Sequence, residues 1–132
     1  MAANVGIVLV SHSVSLAEGT AELAGQVGGA AVTIATAGGT DDGRIGTSIG
    51  KIAHAVRLAD AGVGVLILPD LGSSVLTVRA LLADPDDLPE QVVMADAPFV
   101  EGAVAAAVTA AGGGDLKAVL DAAQEARHAR KL

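Results

Sequence analysis

The chain has 132 residues, of which 52% are apolar, with one Phe, no Tyr and no Trp, and its formal net charge at pH 7 is −7. A surface with an excess of carboxylates repels phosphate backbones and anionic lipid, and the shortage of aromatic rings leaves no platform on which bases could stack. These totals argue against binding to nucleic acid or to a membrane surface.

The length and the even composition predict a single domain over residues 1–132. No apolar run approaches the roughly 20 residues that a bilayer-spanning helix needs, and the N-terminus lacks the basic segment of a signal peptide. A cytoplasmic location is therefore expected. Cysteine is absent, so disulfides and thiolate metal sites are excluded.

Four short apolar runs rich in Val and Ile predict the buried strands of a parallel sheet. Each run is followed by a loop and by apolar residues at helical spacing. The runs are 5–10, 31–35, 63–68 and 91–95. This alternation predicts an α/β fold: a doubly wound, four-stranded and mainly parallel sheet with helices on both faces.

The first helix is predicted to begin at a capping box formed by Ser15 and Glu18. Its inward face is predicted to comprise Leu16, Leu23, Ala24 and Val27. After the second strand, a glycine-rich loop over 37–46 leads to Thr47 and Ser48, the candidate caps of the second helix. That helix repeats apolar residues at Ile49, Ile52, Ala53 and Val56.

The third strand leads into two candidate caps, Ser73 and Ser74, and then into a helix over 75–83 that Asp84 and Pro85 end. The fourth strand leads into a helix rich in Val and Ala, which the three glycines 112–114 end. Asp115 is predicted to cap a final amphipathic helix. The inward face of that helix is Leu116, Val119, Leu120 and Ala123.

In doubly wound sheets, ligands bind at the carboxyl ends of the strands, where the strand order reverses. Four loops are expected to meet there, and two of them carry reactive side chains, His12 and Asp70. A carboxylate that accepts a hydrogen bond from one imidazole N–H fixes the tautomer and leaves the lone pair of the other nitrogen free. The pair therefore predicts a nucleophilic histidine that an aspartate orients.

A histidine that accepts a phosphoryl group also needs hydrogen-bond donors for the phosphoryl oxygens. The net-negative surface has few cations, so backbone N–H groups at helix starts are expected to supply them. The predicted phosphate-binding residues are Ser11, Ser13, Gly38, Gly39, Thr47, Gly72, Ser73 and Ser74. We expect no cofactor and no metal.

The two other histidines are predicted to be solvated. His54 shares a helix face with Lys51 and Arg57, and His128 lies in a basic helix end. Neither has a second metal ligand at i+3 or i+4. Two alternatives stay open at this point. A small tetrapyrrole metal chelatase would use His12 as a ligand, and a regulatory module of the same fold would perform no chemistry.

Five stretches, in their order and spacing, resemble the mannose-type enzyme IIA family of the bacterial phosphotransferase system. They are GIVLVSHS, LAEGTAELA, GGTDDGRIGTS, VLILPDLGSS and APFVEGAVAA, and they cover nearly the whole chain. Within that family the phosphocarrier subunits of phosphotransferase-dependent dihydroxyacetone kinases are the more similar group. The resemblance implies that His12 accepts phosphate from HPr, that Asp70 orients the imidazole, and that the turn 72–74 holds the anion.

The resemblance further implies that the phosphoryl group passes to ADP bound on the nucleotide-binding subunit of the kinase. Some relatives carry fused HPr-like and enzyme I-like domains, but this chain ends at Leu132, so we expect those proteins to be separate. Because mannose-type relatives are homodimers, a homodimer is expected. The helices over 75–83 and 99–111 are apolar nearly all round, which is compatible with a surface shared between two copies.

Overall fold

A computed structural model describes residues 3–84 and 86–132. They form β1 Gly6–Ser11, α1 Val14–Gly28, β2 Ile34–Gly38, α2 Ile49–Ala59, β3 Val65–Pro69, α3 Gly72–Leu82, β4 Val92–Met94, α4 Phe99–Ala111, α5 Leu116–Glu125 and a 3₁₀ turn Ala126–His128. Within those residues, none of the helices has the length and apolarity needed to cross a membrane.

The four strands form one sheet in the order β2-β1-β3-β4, and all neighbours are parallel. Every residue of β1 is buried, because helices cover both faces of the sheet. Ile7 and Leu9 belong to a core with α1, α4 and α5, whereas Val8 and Val10 belong to a core with α2 and α3. The predicted α/β class and doubly wound arrangement are confirmed.

The second strand lies three residues later than predicted. It spans Ile34–Gly38 rather than 31–35, because its register is set by β1, with Ile34 beside Ile7 and Gly38 beside Ser11. Ala31 is exposed and precedes the strand. Ala and Thr alternate here without strong hydrophobicity, so pairing with β1 decides the boundary. As a result, the glycine loop starts after Gly38, directly beside the end of β1.

Helix α1 begins earlier than predicted and buries a different face. Its N-cap is Ser13, whose hydroxyl accepts a hydrogen bond from Leu16 N, so the predicted capping box at Ser15 and Glu18 is wrong. The predicted inward residues Leu16, Leu23 and Val27 are at least 43% exposed. The buried residues are Ala17, Thr20 and Ala24. Since α1 packs closely on α4, only small side chains fit between the two helices.

Among the other predicted helix caps, Ser48 and Asp115 are confirmed, whereas Thr47, Ser73 and Ser74 are wrong. Ser48 accepts a hydrogen bond from Lys51 N at 3.2 Å, and Asp115 accepts one from Ala118 N at 2.9 Å. Helix α3 begins at Gly72 with Leu71 as its N-cap, so neither Ser73 nor Ser74 caps it. Pro85, predicted to end α3, lies outside the described residues. Helix α4 ends before the glycines, as expected.

Gly38 lies against the start of α1 with no room for a side chain. A Cβ at this position would lie 2.7 Å from Val14 Cα and 2.8 Å from Ser13 O. Since both are backbone atoms, we expect Gly38→Ala to lower the free energy of unfolding by about 2 kcal/mol, measured by urea denaturation. The matched control is Gly19→Ala in α1, where a Cβ meets nothing within 4 Å. Alanine should stabilise the helix there, and equal losses in both variants would contradict the packing at Gly38.

Candidate functional site

The site lies where the strand order reverses, between β1 and β3. Strand β2 pairs with one edge of β1, and the chain then crosses over so that β3 pairs with the other edge of β1. His12 follows β1 and Asp70 follows β3. The Asp70 N–H donates to Val10 O at 3.0 Å, which extends the pairing of the two strands up to the aspartate. The topology therefore brings together two residues that are far apart in the sequence.

The Asp70 carboxylate holds the His12 ring on one side. His12 Nδ1 lies 2.8 Å from Asp70 Oδ1, and the two side chains are 18% and 6% exposed. Oδ1 also accepts a hydrogen bond from Leu71 N at 2.7 Å. Oδ2 accepts from Ser11 Oγ at 2.9 Å and from His12 N at 3.0 Å. With four donors, the carboxylate is fixed in position and orients the ring.

Hydrogen bonds also keep Asp70 ionised. Burial alone would raise the pKa of this carboxyl, but donation from the backbone amides of His12 and Leu71, the His12 ring and the Ser11 hydroxyl together lower the pKa below its ordinary value. An ionised carboxylate is an acceptor only, so His12 Nδ1 carries the hydrogen. The lone pair of His12 Nε2 is then available for reaction.

His12 Nε2 faces the first turn of α3. The hydroxyl of Ser73 donates a hydrogen bond to it. Helix α3 begins at Gly72, and the first N–H groups of a helix have no acceptor inside it. Those of Gly72 and Ser73 therefore remain as donors at the end of α3 that Nε2 faces. The positive end of the helix dipole also favours an anion here.

The other predicted phosphate-binding residues have their side chains bonded elsewhere in the fold. Ser11 is buried and, besides bonding Asp70, accepts from Ser13 N at 3.0 Å. Thr47 shares a hydrogen bond with Thr77 at 2.8 Å. Ser74 is buried and donates to the Leu71 carbonyl oxygen at 2.6 Å. These side chains shape the backbone around the His12–Asp70 pair.

The loop over 39–48, which joins β2 to α2, lies against the backbone of His12. Gly39 N donates to Ser11 O at 3.0 Å, and Gly46 N donates to His12 O at 3.0 Å. Gly38 and Gly39 are buried beside the N-terminus of α1. The two glycines thus contribute through close packing, since Gly39 N is already bonded. Gly39 has φ 74, a value that favours glycine.

Two side chains near the site were missed by the sequence analysis. Lys51 was assigned to a solvated face, but its ammonium donates to Gly38 O at 3.0 Å. Thr77 joins α3 to Thr47. No sequence signal could have found either contact, because helical spacing gives the face of a residue and not the reach of its side chain.

The remaining histidines match their predictions. His54 and His128 are both exposed. Across 3–84 and 86–132, no group of three or more His, Asp or Glu side chains is arranged to hold a metal ion.

A family model and two curated relatives that match this chain all describe phosphotransferase subunits. The family model EIIA-man, described as the PTS system fructose IIA component, matches residues 6–120. A phosphoryl donor subunit of PEP-dependent dihydroxyacetone kinase from Providencia stuartii is 38% identical over 132 residues, which covers 96% of this chain and 28% of that protein. The phosphoryl donor subunit of PEP-dependent dihydroxyacetone kinase 2 from Listeria innocua is 40% identical over 105 residues. The match covers 79% of this chain and 84% of that protein.

A solved structure shows the same fold. The crystal structure of EF1359, a protein described as of unknown function, superimposes with a TM-score of 0.82 at 37% identity, covering 92% of this chain and 94% of that one. The chain thus spans little more than a quarter of the Providencia stuartii relative, 28%, but most of the Listeria innocua relative, 84%, and of EF1359.

Proposed function

The chain belongs to the EIIA-man family, as its sequence resemblance predicted, and on that basis we propose that it is a phosphohistidine relay protein with His12 as the phosphorylated residue. The observation that carries the proposal is the ring geometry at His12. Asp70 fixes Nδ1 as the protonated nitrogen, so Nε2 faces the start of α3 without a hydrogen, and its lone pair accepts the Ser73 hydroxyl. This arrangement suits a nucleophile that must accept an anionic group.

In the proposed reaction, Nε2 attacks the phosphorus of a phosphorylated donor. The Nε2–P bond forms as the bond between phosphorus and the donor breaks, and the hydrogen on Nδ1 stays in place. The positive charge that develops on the ring is stabilised by the ionised carboxylate of Asp70. The Ser73 hydroxyl turns from Nε2 to a phosphoryl oxygen, and the N–H groups of Gly72 and Ser73 donate to the other oxygens.

The proposed phosphoryl donor is HPr, charged from phosphoenolpyruvate by enzyme I. The proposed acceptor is ADP on the nucleotide-binding subunit of dihydroxyacetone kinase. Support comes from the relatives named as phosphoryl donor subunits of that kinase. The chain itself then needs no nucleotide site, because the nucleotide stays on the partner. The cytoplasmic location expected from the sequence stays a prediction.

The proposal is tested by intact mass after incubation with phosphoenolpyruvate, enzyme I and HPr. One phosphoryl group should be added, and the adduct should be labile in acid and stable in base, as N-phosphohistidine is. Adding the ADP-loaded kinase subunit should then return the mass to its starting value and form ATP. Absence of an adduct with an active donor system would refute the relay function.

A homodimer is proposed as the working assembly. Helix α4 packs between α1 and α5 but leaves Val100 38% and Val108 48% exposed. Helix α3 leaves Leu76 64% exposed. Exposed apolar side chains on these two helices support a surface shared with a second copy. Sedimentation at micromolar concentration tests the assembly, and a monomer would count against it.

A further inference from the structure

Lys51 donates to the carbonyl oxygen of Gly38, the residue that pairs with Ser11 in β1, and it has no role in the phosphoryl transfer described above. We propose that Lys51 is a positioning residue: its ammonium fastens the loop over 39–48 and thereby holds the loop against the backbone of His12. The consequence for phosphoryl transfer rests on the proposed function, whereas the effect on the loop does not.

The contact of Lys51 closes the loop at its base. Lys51 lies in the first turn of α2, held by the cap at Ser48, and its Nζ donates to the carbonyl oxygen of Gly38 at 3.0 Å. Gly38 is the last residue of β2. The residue before the loop is therefore tied to the helix that follows the loop. The Lys51 side chain is half-buried, which limits competition from water for the same carbonyl.

The loop closed in this way makes direct contact with the reactive segment. The Gly39 N–H donates to Ser11 O and the Gly46 N–H donates to His12 O, each at 3.0 Å. These two bonds hold the carbonyl oxygens at the end of β1. A shift of Gly38 would move Gly39 as well, and with it the first of the two bonds. The position of the His12 backbone thus depends on the base of the loop.

The far end of the loop is tied to the other side of the site. Thr47 shares a hydrogen bond with Thr77 in α3, and Thr77 donates to the carbonyl oxygen of Ser73 at 3.2 Å. Ser73 is the residue that bonds Nε2 of His12. The loop therefore connects the backbone of His12 to the helix start that faces its ring. Lys51 is placed to fix both parts relative to each other.

The partial burial of Lys51 is not explained by an ion pair with a carboxylate of the described residues. Among the residues that the structure describes, the five ion pairs join other side chains, and no carboxylate lies within 4.0 Å of Lys51 Nζ. Its hydrogen bond to Gly38 is charge-assisted, a kind of bond roughly twice as strong as a neutral one. The contact is thus strong enough to matter for the position of the loop.

The first test measures amide hydrogen exchange in the unphosphorylated protein. In Lys51→Met, which keeps a similar length without donor or charge, the N–H groups of Gly39 and Gly46 should exchange about tenfold faster than in the wild type. Lys51→Arg keeps the charge and the donor and should restore most of the protection. The matched control is Lys117→Met, an exposed lysine on α5 that pairs with Asp121. It should leave both glycines unchanged.

The second test measures the rate of phosphoryl uptake from phosphorylated HPr. We expect Lys51→Met to be about tenfold slower than wild type and Lys117→Met, with Lys51→Arg close to wild type. Equal exchange at Gly39 and Gly46 in Lys51→Met and Lys117→Met would overturn the proposal. So would equal rates of uptake in those two variants. If the wild type takes up no phosphate, the relay function fails, and hydrogen exchange alone then decides the role of Lys51.

Discussion

Replacing His12 with alanine is expected to abolish phosphoryl uptake. Its ring is the one that Asp70 orients through Nδ1 at 2.8 Å, and its Nε2 is the atom that faces the start of α3. Without that nitrogen no covalent bond to phosphorus can form, so the loss should be complete rather than partial. Intact mass after incubation with phosphoenolpyruvate, enzyme I and HPr measures the adduct directly.

The matched control is His54→Ala. His54 is exposed on α2, away from any described carboxylate partner, so its loss should leave uptake at the wild-type level. His12→Ala should stay folded, because Asp70 keeps its hydrogen bonds from Ser11 and from two backbone amides. A folded His12→Ala protein that still gains an acid-labile phosphoryl group would show that another residue is the carrier.

The fold was predictable where the sequence carries strong hydrophobic contrast. The bounds of strands β1 and β3 were predicted to within two residues, since a short run rich in Val and Ile between turns fits a buried strand. Prediction failed where Ala, Gly and Thr dominate. In β2 the register with Ile7 sets the boundary, and in α1 close contact with α4 selects small residues and leaves Leu23 exposed. Both are tertiary effects.

The site was predictable to the extent that topology determines it. The sequence places His12 and Asp70 after two strands, and the doubly wound order makes those strands neighbours. The partners of hydroxyl groups could not be foreseen in the same way. Ser11 ends β1 and is buried against Asp70, whereas Ser73 lies in the first turn of α3 and reaches Nε2. The hydrogen-bond partner of each hydroxyl depends on its side-chain rotamer and on distances of a few ångströms, which the sequence does not give.

Replacing Asp70 with asparagine is expected to slow phosphoryl uptake by at least about a hundredfold. Both carboxylate oxygens accept from a backbone N–H, Oδ2 from His12 and Oδ1 from Leu71. The amide NH₂ of asparagine must therefore face one of these donors, whichever way it turns. If it faces Nδ1, the ring must accept there and carry its hydrogen on Nε2, which removes the nucleophilic lone pair. The rate of uptake from phosphorylated HPr measures the loss.

The matched control is Asp96→Asn, the same substitution at the carboxyl end of the neighbouring strand β4. The Asp96 side chain is 91% exposed and pairs with Arg127 at 3.3 Å. Its neutralisation should change the rate of uptake by less than about twofold, as expected for an exposed ion pair. Equal losses in both variants would mean that local negative charge, and not the orientation of the ring, controls the reaction.

The substitution Asp70→Asn should also change how the free energy of unfolding depends on pH in acid. This measurement tests the hydrogen bonds of Asp70 separately from its role in phosphoryl transfer. The pKa of Asp70 is lowered in the folded protein, so its carboxylate contributes stability above the unfolded value of about 3.9. That contribution is lost as the pH falls through the lower folded pKa. The difference in unfolding free energy between wild type and Asp70→Asn should thus shrink as the pH falls from about 5 toward 3. A difference that stays constant across this range would mean that the carboxylate is not held by these donors, and a slow Asp70→Asn variant would then need another explanation.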